Sequence, residues 1–210
     1  SLSLSLSPSR SLPSLCLPST NALARSLAGQ DWCFQVRHCS MSPTGVVRHC
    51  GVFSDTSSGA TFPVNGAICA KVDEGLRRTH ARIHSGGHLL DVAVQRIGLT
   101  GLKPTKGFHF ASGAYVEYDG VVDASERTSA VDKLNKTVAQ IIAEAIPTVV
   151  EMRDGKRNVN LAGLDCLCGG THVKNTSEIG TLTISKVEKK GKVTRVKYSV
   201  TAPAGSGASV

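Results

Sequence analysis

The chain has 210 residues, 40% of them hydrophobic and 19% charged, a composition that can bury a core and excludes wholesale disorder. With 24 Lys and Arg against 16 Asp and Glu, its formal charge is +8, which favours anionic partners such as nucleic acid. Aromatic residues are only 4%, so platforms for stacking bases are poorly supplied, and no run approaches the ~20 apolar residues of a spanning helix, so no membrane partner is expected.

The first 30 residues hold nine Ser, eight Leu and two Arg, with no acid before Asp31. Two readings fit. One is a Ser- and Arg-rich, acid-poor organellar transit peptide, which would place the protein in a chloroplast or mitochondrion. The other is a translated leader, because Ser-Leu repeats are what a CT dinucleotide repeat encodes, with Met41 as the start and the cytoplasm as the compartment. Either way residues 1–45 are expected to be a disordered leader. The seven cysteines (16, 33, 39, 50, 69, 166 and 168) are odd in number and form no regular framework, which suits a reducing compartment with thiols free to bind metal.

From Val46 the pattern is globular. Apolar runs from Val46 to Phe53 and from Phe62 to Val72 flank a turn cluster of Ser54, Asp55, Ser57, Ser58 and Gly59, and together predict two or three strands. Arg77 to Gly98 predicts a helix, with Leu89, Leu90, Ala93, Val94 and Ile97 on its period and Gly98 as its stop. Phe108 to Val122 is expected to be extended, most strongly at Tyr115–Tyr118. A second helix is predicted from an N-cap at Ser125 through Val131, Leu134, Val138, Ile141 and Ala145, ending before Pro147. Leu182 and Ile184, a turn at Glu188–Gly191, and the alternation of Thr194, Val196, Tyr198 and Val200 predict a hairpin. Residues 201–210 form an Ala/Gly/Ser-rich flexible tail.

Two motifs carry chemistry. In His84-Ser-Gly-Gly-His88, expected to open the first helix, the four-residue spacing stacks both imidazoles on one helix face. In Cys168-Gly-Gly-Thr-His172 the glycines permit a tight loop that brings a thiolate and an imidazole together. Three imidazoles and a thiolate suit Zn²⁺. An exposed polar stripe for the histidines and a small buried hydrophobe for Cys168 are the structural alternatives. Ser85 stands where a zincin has its Glu, and the spacings are not those of a zinc finger.

In this order, the two motifs resemble the second additional domain shared by alanyl- and threonyl-tRNA synthetases, and more closely the free-standing alanyl-tRNA editing proteins of the AlaX type. The resemblance runs from about Val46 to Val200. It includes Arg82-Ile-His-Ser-Gly-Gly-His-Leu-Leu-Asp91, Lys106-Gly-Phe-His-Phe110, Tyr115-Val-Glu-Tyr118, Cys166-Leu-Cys-Gly-Gly-Thr-His-Val173, Glu178-Ile-Gly180 and the basic hairpin. It implies an α+β fold, an antiparallel sheet packed with helices, with residues 46–76 a truncated β-rich N-terminal portion and 77–200 the editing domain. Family members usually carry a Gly-Gly-Gln-Pro-Ser-Asp segment, absent here before Val46, and a longer stretch around Pro147–Arg157. Leu167 stands where Pro is common and Gly86 where Ala is.

The resemblance further implies a zinc-dependent deacylase that hydrolyses mischarged Ser- or Gly-tRNA(Ala) in trans, with His84, His88, Cys168 and His172 as zinc ligands. The logic is physical, because a pocket for alanine excludes glycine and serine by only ~1–3 kcal/mol, so a second, hydrolytic site supplies the missing fidelity. Gly169, Gly170 and Thr171 are candidate substrate contacts, the two glycine amides for a developing oxyanion. Asp91 is a candidate to orient a ligand imidazole. No residue stands out as the general base, and four protein ligands favour a positioning role for the metal over activation of water. Lys186, Lys189, Lys190, Lys192, Arg195 and Lys197, with Lys174 nearby, are the candidate contacts to tRNA phosphates. Their structural alternative is a solvated hairpin whose lysines guard an edge strand. A catalytically inactive zinc-bearing tRNA-binding module and threonyl-type editing of Ser-tRNA(Thr) are the alternative functions. No obligate protein partner is expected. Nor is ligase activity, since no Gly-rich phosphate-cradling loop is present.

Overall fold

The computed structural model describes residues 2–6, 22–26, 33–42, 44–53 and 68–203, so Cys16, Phe62, the Ser54–Gly59 turn cluster and residues 204–210 lie outside the described residues. The chain divides into two compact units, residues 1–77 and 78–210.

The first unit holds a five-stranded sheet of β1 (Leu2–Leu6), β2 (Ala22–Ser26), β3 (Cys33–Met41), β4 (Val47–Phe53) and β5 (Ile68–Lys71). Its order is β1-β4-β3-β2-β5, and all of its pairings are antiparallel. Three of these strands fall within residues 1–45, where a disordered leader is expected. In β1 the difference has a local cause: the Ser-Leu repeat alternates polar and apolar residues at the period of a strand. In β3, Phe34 and Val36 are buried, and the Phe34 ring meets Phe53 edge-on at 5.2 Å.

The second unit begins within α1 (Glu74–Arg96). Asp73 caps this helix, its Oδ1 accepting from the Leu76 amide at 2.8 Å, and Glu74 and Arg96 complement the dipole at the two ends. Gly98 at φ +85 closes it with a Schellman pair, Leu99 N–H to Val94 O and Gly98 N–H to Gln95 O. The helix starts three residues before the predicted Arg77, so His84–His88 lies mid-helix and does not open it.

Next come β6 (Lys103–Phe108), β7 (Ala114–Asp119) and α2 (Arg127–Ala143). The N-cap of α2 is Glu126, without a side-chain cap bond, so Ser125 does not take that place. The helix ends before Ala145, which adopts φ +52. Pro147 bridges to Asn175.

A three-stranded sheet absent from the sequence reading follows: β8 (Val149–Arg153), β9 (Lys156–Leu161) and β10 (Leu164–Leu167), in the order β10-β9-β8. Two-residue turns join its strands, Asp154-Gly155 (φ +50, +71) and Ala162-Gly163 (φ +51, +90). Both have the type I′ pattern that matches strand twist, and Asp-Gly was a readable hairpin signal. A 3₁₀ turn (Thr176–Ile179) leads into the hairpin of β11 (Thr181–Lys190) and β12 (Val193–Thr201). Here β11 runs through the predicted turn, and the chain reverses at Gly191-Lys192, with Gly191 at φ +63.

The four-stranded sheet has the order β11-β12-β7-β6 and is antiparallel throughout. Its inward face supplies Leu182, Ile184, Val187, Val196, Tyr198, Ala114, Val116 and Tyr118 to the core, and α1 and α2 cover it with Leu89, Leu90, Leu134, Val138 and Ile141. The unit is therefore α+β, as expected. Gly86 allows the close approach, because a Cβ there would lie 2.7 Å from Leu182 Cδ1 and 3.2 Å from Val200 Cγ2. Asn135 of α2 bonds the backbone of Ile184 in β11 twice, donating to its carbonyl at 3.0 Å and accepting from its amide at 2.8 Å. These bonds lie where the β11–β12 register shifts between Ile184 and Lys186.

Leu134 is fully buried among these layers, so Leu134→Ala removes transfer energy and leaves a cavity. Urea denaturation followed by circular dichroism should show a loss of about 2–5 kcal/mol with little change in slope.

Candidate metal centre

Helix geometry places His84 and His88 one turn apart, their ring centroids 5.0 Å from each other. The loop after β10 carries Cys168 and His172 to the same place, and the His172 ring lies 4.5 Å from His84 and 5.0 Å from His88. One ligand atom from each of His84, His88, Cys168 and His172 lies within 4.8 Å of all the others. Cys168 Sγ is 3.5 Å from His84 Nε2, close to the ~3.6 Å edge that zinc bond lengths subtend at a tetrahedral angle. Sequence reasoning had named these four, and the fold brings all four together.

Whether a metal fits is decided by the nitrogens. His88 Nε2 and His172 Nε2 are buried with no hydrogen-bond partner among the described residues, a costly arrangement unless something binds there. The opposite nitrogen of each ring is engaged. His84 bonds the Thr171 backbone, His88 Nδ1 lies 3.5 Å from Cys166 Sγ, and His172 Nδ1 meets the Ser85 hydroxyl at 3.4 Å. Ser85 also accepts from the Val173 amide at 3.1 Å. Partners of this kind fix the tautomer and aim of a ligating imidazole. The four residues thus form a set able to hold a metal ion.

Electrostatics favours the neutral, ligating form. Burial lowers His84, with the Arg157 charge adding to the effect and the Thr171 bond opposing it. Burial, with smaller repulsion from neighbouring imidazoles, lowers His88 to about 3 and His172 to about 2. The Cys166 thiol is pushed up to about 11 by burial, which suits an uncharged neighbour to His88.

Three supports escaped the sequence reading. Arg157 of β9 donates to Cys168 O at 2.6 Å and to Gly170 O at 2.8 Å, clamping the ligand loop. Nothing in the sequence singled it out. Gly170 lies against the His84 ring so closely that a Cβ would overlap the imidazole. His109 packs beside His84 with centroids 5.0 Å apart and bonds Tyr198 through Nδ1 at 2.7 Å, and Tyr198 donates to Ile83 O at 2.8 Å. Gly87 and Gly107 leave room for its ring, so a glycine beside His88 and another two residues before His109 were the available signal.

The remaining expectations fall as follows. Asp91 does not bond an imidazole; its Oδ1 accepts from Tyr118 at 2.7 Å. The Thr171 hydroxyl is buried and unpartnered, and the amides of Gly169 and Gly170 donate to no group among the described residues. On the hairpin, Lys186, Lys190 and Lys197 surround Glu188 at 3.0, 3.9 and 3.1 Å. Bonds from Lys186 and Lys197 hold that carboxyl down at about 2. Arg195 is tied to Glu117 at 2.6 Å, whereas Lys189 and Lys192 make no ion pair among the described residues.

A family profile described as "Threonyl and Alanyl tRNA synthetase second additional domain" matches residues 148–196, which include Cys168 and His172. Residues 148–196 are thus similar to this second additional domain. Alanine–tRNA ligase of Fervidobacterium nodosum is 26% identical over 178 residues, covering 75% of this chain and 20% of the relative. That of Chlamydia muridarum is 28% identical over 189 residues, covering 76% and 20%. That of Bdellovibrio bacteriovorus is 29% identical over 139 residues, covering 57% and 15%. The chain therefore spans about a fifth or less of the length of the curated relatives it matches. These matches extend the AlaX-like resemblance beyond the ligand loop to most of the chain. No helix among the described residues is long and apolar enough to cross a membrane.

Two measurements check the centre. Metal analysis of zinc-equilibrated protein should give one equivalent. His172→Ala should weaken binding beyond the roughly 10–100-fold that loss of an orienting partner costs, and Ser85→Ala should fall within that range. The second measurement is the pH dependence of the metal-free protein. Unfolded imidazoles titrate near 6.5, whereas His88 and His172 do so near 3 and 2 when folded. The unfolded state therefore binds more protons below 6.5, and stability present above that value is lost as pH falls. The urea midpoint should drop between about pH 7.5 and about pH 5, and less so in His172→Gln.

Proposed function

We propose that the chain hydrolyses the ester bond of mischarged Ser- or Gly-tRNA(Ala) in trans, with zinc held by His84, His88, Cys168 and His172. The observation that carries the reading is the convergence of those four donors in a chain similar to the second additional domain and to alanine–tRNA ligases. Zinc, when bound, supplies a fixed positive charge beside the ester.

The chain's own groups account for the rest. Burial keeps the three imidazoles unprotonated at neutral pH, so no charged ring competes for the site. Arg157 holds the Cys168 carbonyl, and so sets the direction of the Gly169 amide that shares its peptide plane. The Gly169 and Gly170 amides are free to receive charge that develops on the carbonyl oxygen. The buried Thr171 hydroxyl is available to a polar group of the bound amino acid. On the hairpin, Lys189 and Lys192 face the tRNA phosphates with their charge uncompensated, alongside Lys186, Lys190, Arg195 and Lys197, which share their carboxylate neighbours. Cys39, Cys50, Cys69, Cys166 and Cys168 are free thiols, in keeping with a reducing compartment such as the cytoplasm.

The test is release of labelled amino acid from Ser-, Gly- and Ala-tRNA(Ala) by zinc-loaded protein. Release of serine or glycine with Ala-tRNA(Ala) spared is expected. Cys168→Ala should lower it by about 10²-fold or more, as should Gly170→Ala, whose added Cβ displaces His84. Binding of tRNA at full zinc content with no turnover would instead support the inactive module, and preference for Ser-tRNA(Thr) would support the threonyl-type alternative.

A further inference from the structure

The outward face of the four-stranded sheet carries a second kind of surface. Strand pairing aligns Phe108, Tyr115, Lys197 and Lys186 in one row across β6, β7, β12 and β11. Alternation puts this row on the side away from the helices, since Ala114, Val116, Val196 and Tyr198 point inward. Phe108 and Tyr115 stack at 5.3 Å with 13° between their planes, and Phe110 joins Phe108 at 4.5 Å. The Arg195 guanidinium lies 4.1 Å from the Tyr115 ring centre, steadied by its two bonds to Glu117. At the other end of the row, Lys186 and Lys197 are 60% and 42% exposed.

A lone cross-strand aromatic pair needs no ligand, because such pairs stabilise sheets. This pair, however, continues a stacked guanidinium and adjoins the Lys186 and Lys197 ammonium groups, which flank Glu188, on an antiparallel sheet. Planar apolar faces beside cations match unpaired nucleotides, which offer a π-face and a phosphate at each step. A paired A-form stem hides its base faces and would use the lysines alone.

We propose that this sheet face binds unpaired RNA nucleotides, with bases against the Phe108–Tyr115–Arg195 stack and phosphates at Lys186 and Lys197. The inference rests on the tRNA reading only for the source of the strand, and it deepens that reading by assigning the hairpin cations to single-stranded rather than stem contacts.

The test uses the full zinc-loaded chain and a fluorescein-labelled single-stranded 12-mer of uridine, read by anisotropy, with a 12-base-pair RNA duplex as competitor. The single strand should bind the tighter of the two. Tyr115→Leu should weaken it by about fivefold or more while Tyr115→Phe, which keeps a ring, retains it. The slope of log affinity against log salt should stay unchanged in both but fall by roughly 1.4 in the Lys186→Ala, Lys197→Ala double variant. In the unsubstituted chain, photocrosslinking with 4-thiouridine should label the peptide holding Phe108 or Tyr115, which needs no variant to fold. Equal binding of duplex and single strand, or crosslinks confined elsewhere, would overturn the proposal. Because this assay contains no ester, loss of deacylation with binding intact would count against the proposed function alone.

Discussion

The gathering of three half-buried imidazoles and a thiol around one point is the constraint to which the second unit is built. Each imidazole prefers water, and repulsion between neighbouring rings adds to the cost of charging any of them. The fold meets that cost by leaving every ring neutral, satisfying one nitrogen of each, and turning the others toward a common centre. A cation at that centre would replace the lost hydration with bonds, so occupancy and folding reinforce one another.

Rigid supports stand behind the ligands. α1 lies close on β11 and β12 because Gly86 has no side chain, which sets the height of His84 and His88 above the sheet. The ligand loop leaves the small sheet at Leu167 and is held there by a guanidinium reaching back from β9. Neither support touches the donor atoms. Both restrict where those atoms can go, to the tolerance a site of this kind needs.

Much of this was legible beforehand, for identifiable reasons. The two helices announced themselves by period, and His84 and His88 by spacing, because a helix converts sequence interval directly into angle. The hairpin alternation was equally direct. What escaped was set by tertiary context. Residues 149–167 form three short strands whose exposed side chains, Val149, Val150, Met152 and Leu167 among them, blur any inside–outside pattern, leaving Asp154-Gly155 as the single local sign. Arg157 works through carbonyls eleven and thirteen residues away, a relation no periodicity encodes. Composition also understated the aromatics. Nine residues are few in 210, yet Phe108, Phe110 and Tyr115 are gathered in one contiguous stack. Residues 1–45 posed the opposite difficulty, since low complexity and strand alternation coexist in one Ser-Leu repeat.

The amide of Asn135 has an effect that reaches past the core. β11 is the terminal strand of its sheet, and terminal strands ordinarily offer vacant donors and acceptors on which a second chain can grow. At Ile184 both backbone groups are already taken by a side chain from the covering helix. An incoming strand would have to displace that amide before it could zip along β11, and it would then meet the lysines beyond. The same contact that pins the helix to the sheet therefore interrupts a seam for templated aggregation.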